Sequence, residues 1–237
     1  MNINQVINIY SALGGVFVSN PSEIQARLAT IKAFIFDWDG VFNGGRKGVG
    51  LHSNYSEGDS MGTNLMRFAH WLTQAKSLPY TGIITGANNE TARAFAKREH
   101  FHFVYSGYKD KMEALAAFLD NSGLQASEVA FFFDDVLDLS VAKQCGLRFL
   151  VNREGSPLFK NYVTQQGWCD YISANNGEHY AIREITELLM ALMGVYDEVI
   201  QKRMAYQGDY AEYLAERQAV PTMLFNHAEM KLGSGNV

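Results

Sequence analysis

The sequence predicts an α/β protein with a doubly wound parallel sheet, and three observations predict it. Short, almost continuously apolar runs recur at 33–36, 81–84, 102–105, 129–133 and 147–151, with helix-patterned segments between them. Continuous rather than alternating apolar runs mark strands buried on both faces, and alternation with helices marks a parallel sheet. Several runs stop at a carboxylate or at a hydroxyl beside glycine, and the carboxyl ends of parallel strands are where such sheets bind ligands. Hydrophobic residues make up 47% of the 237, enough for a sizeable core.

Residues 1–30 read as an N-terminal segment. Its first 20 residues are weakly apolar without a clear period, and Asn20-Pro21-Ser22-Glu23 then offers a helix start for 24–31, with Ser22 as a cap. The strand Ala33-Phe34-Ile35-Phe36 runs straight into Asp37-Trp38-Asp39-Gly40. Glycine lets the backbone leave the strand there and curl around whatever the acids face. Two carboxylates held so close favour a cation, and oxygen-only ligands favour a hard divalent ion such as Mg²⁺, which keeps water and substrate phosphate in its shell. Residues 43–58 contain five glycines around Val49, Leu51 and Tyr55, which predicts a glycine-rich β-hairpin or flap after the first strand.

Asp59-Ser60 offers a cap for a helix carrying Met61, Leu65, Phe68, Ala69 and Leu72 on one face. Thr81-Gly82-Ile83-Ile84-Thr85-Gly86 is a strand ending in hydroxyl and glycine before a helix from about 88 to 98. Exposed amides and a helix N-terminus there suit phosphate. Lys111 sits in the first turn of the helix that follows the 102–105 strand, where a cation opposes the helix dipole unless an anion lies near. The run Val129-Ala130-Phe131-Phe132-Phe133 again stops at acids, Asp134 and Asp135, with Asp138 three residues beyond. A helix at 140–145, a strand at 147–151, a helix at 156–166, a short strand at 171–172 and a helix through 182–193 complete a core spanning 31–194. Residues 195–237 read as a helical C-terminal extension. Val199, Ile200, Tyr206, Tyr210, Tyr213 and Leu214 form its stripe, fit for core or subunit contact, before Pro221 and a glycine-rich end at 233–236.

A formal charge of −5 with scattered Lys and Arg leaves no basic stripe, which excludes nucleic acid as a partner. Cys145 and Cys169 lack metal-ligand spacing and read as free thiols in a reducing compartment. No basic residue precedes Arg27 and no long apolar run occurs, so neither a signal peptide nor a membrane span is predicted, and a cytoplasmic protein is.

In order, the chain carries D-x-D-G at a first strand end, T-G at a second, a lysine opening a helix, and D-D-x-x-D at a fourth. This order resembles that of the haloacid dehalogenase-like phosphatases. D-W-D-G-V-F-N-G-G, G-D-S-M-G at 58–62, I-I-T-G at 83–86, Y-S-G-Y-K-D-K at 105–111 and G-E-H-Y-A-I-R-E-I at 177–185 resemble, over about 24–193, the 3-deoxy-D-manno-octulosonate 8-phosphate phosphatases and related sugar-acid phosphatases. The resemblance implies a Rossmann-like core without a large cap domain, acting as a Mg²⁺-dependent phosphomonoester hydrolase on a small sugar or sugar-acid phosphate. By it Asp37 is the nucleophile that becomes an aspartyl-phosphate, and Asp39 is the general acid and base. Asp37, Asp39 through its carbonyl, and Asp134 are the metal ligands. Thr85, Gly86 and Lys111 hold the phosphoryl oxygens, with Asp135 and Asp138 in support. It also implies a homotetramer in which a neighbouring subunit meets the flap and closes the site.

Departures from the family fall on substrate positions. Asn43-Gly44 stands where Thr-Asp is usual, Phe133 where glycine is usual, and Ala87 where an arginine meets the sugar acid. Arg46, Lys47 and Arg183 are the candidate replacements. A phosphoacceptor signalling domain is a poor fit, since its acidic pair precedes the other motifs and nothing acidic follows its lysine. The substitutions and the long extension leave, as the alternative reading, a catalytically weakened member retained for binding or assembly.

Overall fold

The computed structural model describes residues 2–51 and 53–228; the glycine-rich end at 233–236 lies outside the described residues. The chain runs α1 (Ile3–Leu13), β1 (Val16–Phe17), α2 (Pro21–Leu28), β2 (Ala33–Phe36), α3 (Glu57–Thr73), β3 (Tyr80–Thr85), α4 (Glu90–Arg98), β4 (Phe103–Ser106) and α5 (Lys111–Ser122). It continues through β5 (Val129–Phe133), α6 (Leu139–Ala142), β6 (Leu147–Leu150), α7 (Pro157–Gln165), β7 (Tyr171–Ile172), α8 (Ala181–Leu192), α9 (Tyr196–Ala205), α10 (Asp209–Gln218) and β8 (Met223–Asn226). One sheet has the order β1-β7-β6-β5-β2-β3-β4-β8, with every pairing parallel except β1 with β7.

Strand alternation divides the core. Phe34 and Phe36 of β2 point to one face, where α1, α2, α4 and α8 contribute Val6, Ile24, Phe95 and Ile185; Ala33 and Ile35 point to the other, with Leu115, Phe118, Val141 and Val163 of α5, α6 and α7. Caps decide where the helices begin. Asn20 rather than Ser22 caps α2, leaving Pro21 in the first turn; Ser56 caps α3 one turn before the Asp59-Ser60 pair expected to start it. Gly62 of α3 lets α8 pack closely, because a Cβ there would lie 2.5 Å from Thr186 Oγ1.

Three features differ from the sequence reading. Residues 3–13 form a helix rather than an irregular segment, burying only Val6 and Tyr10, a stripe too thin to show a period. The stretch 43–56 is a loop and not a hairpin: no strand is assigned among its described residues, and Asp39 with Asn43 makes one isolated bridge. Val49 and Leu51 stay exposed with no strand to pair against, and Gly45 N donates to Asn43 Oδ1 at 2.9 Å in a local turn. The extension is not purely helical, since β8 joins the sheet beside β4. Most of its stripe is spent inside the chain: Val199, Tyr210 and Tyr213 are buried with Leu65, Phe68 and Trp71 of α3 in a third apolar cluster, while Tyr206 stays exposed.

Candidate active site

Register places the acids. Phe36 of β2 lies level with Phe132 of β5 and Ile83 of β3, so Asp37 and Asp134, just beyond β2 and β5, and Thr85, the last residue of β3, gather along one edge of the sheet. β2 is also where strand order reverses, since the chain proceeds outward through β3 and β4 on one side and through β5 and β6 on the other. The turn after Asp39 depends on Gly40, whose φ is +98° and whose Cβ, if present, would lie 2.1 Å from Asp134 Oδ2. Asp134 sits where it does because residue 40 has no side chain.

Asp37, Asp134 and Asp138 are all buried and offer carboxylate oxygens within 4.8 Å of one another. Lys111, the first residue of α5, is buried against them: its Nζ is 2.6 Å from Asp37 Oδ1 and also donates to Asp138 Oδ1. Burial works against the ammonium, yet the Asp37 and Asp138 charges more than offset it and raise the lysine pKa. The acids are held the other way. Burial, then the charges of Asp37 and Asp138, push Asp134 up to about 9, and burial with Asp37 pushes Asp138 in the same direction. Asp134 Oδ2 makes no hydrogen bond and meets Arg153 Nε at 2.7 Å as an ion pair. A cluster of three buried acids with one buried lysine, in which one carboxylate oxygen makes an ion pair but no well-aligned hydrogen bond, fits a hard divalent cation better than it fits the protein alone.

Asp39 turns away from this cluster. Its carboxylate meets Lys47 of the loop and Asn89 Nδ2 at 3.4 Å. A cavity of about 480 Å³ joins these groups, lined by Asp37, Asp39, Thr85, Gly86, Lys111 and Asp134, with Asp135 and Asp138 also in its wall. The residues chosen from sequence as catalytic, phosphate-holding, metal-holding and supporting thus share one wall. Among the described residues the carboxylate cluster consists of Asp37, Asp134 and Asp138, with the Asp39 side chain outside it.

No protein-family model matches the sequence. The 3-deoxy-D-manno-octulosonate 8-phosphate phosphatase of Escherichia coli strain K12 is 24% identical over 178 residues, 75% of this chain and 88% of that protein. Among solved structures, a protein from Legionella pneumophila assigned to the HAD superfamily, subfamily III A, superposes with a TM-score of 0.62 at 24% identity, covering 78% of this chain and 95% of that one. The 3-deoxy-D-manno-octulosonate 8-phosphate phosphatase of Moraxella catarrhalis, solved with magnesium, phosphate and KDO, superposes with a TM-score of 0.61 at 24% identity, covering 77% and 98%. The fold is that of the haloacid dehalogenase-like hydrolases. The superfamily read from the motif order, and the phosphatase class that came with it, are those of these relatives.

Within this haloacid dehalogenase-like core, two groups that touch the site's carboxylates escaped the sequence reading, and of these Arg153 lines the cavity. Arg153 follows β6, pairs with Asp134 and approaches Asp135 Oδ2 at 3.4 Å. Asn89 caps α4 and also reaches Asp39. Both were legible in principle, Arg153 because it follows a strand's carboxyl end and Asn89 because it opens the helix after T-G. Of the three proposed replacements at the Ala87 position, Lys47 lines the cavity, whereas Arg46 pairs with Glu178 and Arg183 with Glu187.

Proposed function

We propose that this chain is a Mg²⁺-dependent phosphomonoesterase that hydrolyses a small sugar phosphate through an aspartyl-phosphate on Asp37. The observation that carries the reading is the buried Asp37, Lys111, Asp134 and Asp138 cluster opening, beside Thr85 and Gly86, into a cavity large enough for a small phosphate ester. Asp37, Asp134 and the Asp39 carbonyl would hold the cation, which supplies charge neutralisation between the anionic nucleophile and the phosphoryl group.

The chain's own residues do the rest. Asp37 attacks phosphorus with one carboxylate oxygen, and Lys111, already 2.6 Å from that side chain, draws charge from the phosphoryl oxygens. The Thr85 hydroxyl and Gly86 amide, at the end of β3, complete the cradle. Asp39, free of the carboxylate cluster, gives its proton to the departing sugar oxygen. It then takes one from the water that attacks the aspartyl-phosphate, releasing phosphate and restoring Asp37. Asp138 orients Lys111 through their direct contact, and Asp135 holds Arg153.

In the same reading the enzyme is a cytoplasmic homotetramer whose neighbour meets the loop 43–56, where Val49 and Leu51 are exposed. Light scattering tests this, and a mass near 26.5 kDa would sink it. The chemistry is tested with p-nitrophenyl phosphate. Mg²⁺ should support turnover, EDTA should stop it, and Asp37→Asn should reduce it by roughly a thousandfold or more. Metal-independent turnover, or an Asp37→Asn variant keeping about a tenth of the rate, overturns the reading.

A further inference from the structure

The C-terminal extension returns to the cavity. Parallel pairing of β8 with β4 sets Asn226 level with Ser106, so the residue after β8 reaches the same edge of the sheet as the turn after β4. That turn supplies Tyr108 and Lys109 to the cavity wall and leads into Lys111, the first residue of α5. The His227 ring lies on the Tyr108 ring with centroids 4.7 Å apart, and His227 Nε2 meets Glu113 Oε2, on the first turn of α5, at 2.8 Å. One side chain of the extension thus touches the chain on both sides of Lys111.

The turn is anchored from its other side as well. Tyr108 N donates to the Thr85 carbonyl at 3.3 Å and Gly107 N to the Ala87 carbonyl at 3.2 Å, which ties it to the end of β3. The Tyr108 ring is buried, and Tyr105 and His227 pack against it. Rings in such contacts hold one another in place. The reacting groups are fixed by other means: Asp37, Thr85 and Asp134 stand at the ends of β2, β3 and β5, and Asp37 and Asp138 hold Lys111 directly. Loss of the His227 ring therefore loosens Tyr108 and leaves those groups where they are.

Resting on the phosphomonoesterase reading, we infer that the extension completes the substrate-facing wall of its own active site, and that His227 is the positioning residue through which it does so. His227 acts through Tyr108, holding that ring at the edge of the space the leaving group enters beyond the phosphate cradle. Its effect falls on binding of the ester rather than on transfer of the phosphoryl group.

The test measures kcat and KM for p-nitrophenyl phosphate with Mg²⁺, together with the inhibition constant of orthophosphate, which carries no leaving group. His227→Ala should raise KM by about three- to tenfold, the worth of an aromatic pair, with kcat and the orthophosphate constant within about twofold of wild type. His227→Phe, which keeps a ring at this place, should return KM to within about twofold of wild type. In a Tyr108→Leu background, His227→Ala should raise KM no further. A purely structural role lowers the fraction of folded enzyme, and so kcat at constant KM; that result overturns the inference. So does an orthophosphate constant that rises with KM, a phenylalanine variant no better than alanine, or a full effect of His227→Ala in the Tyr108→Leu background. Any of these, with the wild type turning over the ester, fails the inference alone; a wild type without turnover fails the phosphatase reading and the inference together.

Discussion

Replacing Asp134 by asparagine should stabilise the metal-free protein and at the same time abolish its response to Mg²⁺. Burial and the neighbouring Asp37 and Asp138 charges hold the folded carboxyl at about 9, whereas in the unfolded chain it ionises near 4. The folded state therefore binds one more proton than the unfolded state between pH 5 and 7. A raised folded pKa gives a contribution that is complete at low pH and is lost as pH rises toward the folded value. The slope is at most about 1.4 kcal/mol per pH unit, hence up to about 3 kcal/mol across this window, or roughly 5–10 °C in Tm for a chain of this length.

Asparagine carries no charge, so the variant lacks this slope. At pH 7 in EDTA it should be the more stable protein by on the order of 2–4 kcal/mol, the lower end allowing for a changed contact between residue 134 and Arg153. Thermal melts of both proteins at pH 5, 6 and 7, in EDTA and in Mg²⁺, measure this. The difference between the two cancels the titrating groups that do not interact with residue 134. A difference that stays constant from pH 5 to 7, or a variant that Mg²⁺ still stabilises, refutes the reasoning.

Other outcomes follow from single contacts. Gly40→Ala should cost about 1–2 kcal/mol from its positive φ alone and weaken Mg²⁺ binding measured by calorimetry, because the new methyl displaces Asp134. Tyr213→Ala should cost about 3–5 kcal/mol in urea unfolding, since its ring fills the cluster against Phe68 and Trp71. Tyr213→Phe, which loses only the hydrogen bonds to Asn64, should cost about 1–2 kcal/mol. Burial lowers the His102 pKa to about 3, so its contribution is full above about pH 6.5 and is lost as pH falls: about 2 kcal/mol between pH 7 and 5, absent in His102→Asn, as paired melts would show.

The central strands and the residues at their carboxyl ends were legible because burial on both faces leaves a continuous apolar run, and the break to Asp37, Thr85 or Asp134 is abrupt. What escaped has a physical reason in each case. Helix α1 buries Val6 and Tyr10 alone, and β8 is four residues long, two of them, Met223 and Leu224, exposed, so neither carries a period long enough to read. Ser22 and Asp59 are good caps passed over for Asn20 and Ser56, because the first side chain able to reach a free amide takes the position. Arg153 belongs to no motif, and its place beside Asp134 follows from the pairing of β5 with β6, a contact that only the fold provides.

The pairing of β8 with β4 has a consequence for how the chain is made. Phe225 stacks on Tyr105 with ring centroids 4.9 Å apart, and its carbonyl accepts from Ser106 Oγ at 3.3 Å, so the outer side of β4 is sealed by residues synthesised about 120 positions later. At roughly 5–20 residues per second, a growing chain spends many seconds with that strand edge unpaired and its aromatic residues uncovered. Until the last segment emerges, β4 is an open template for any other extended chain, including another nascent copy of itself. Chain loss upstream of Met223 would make that interval permanent, turning a transient hazard of synthesis into a standing tendency to aggregate.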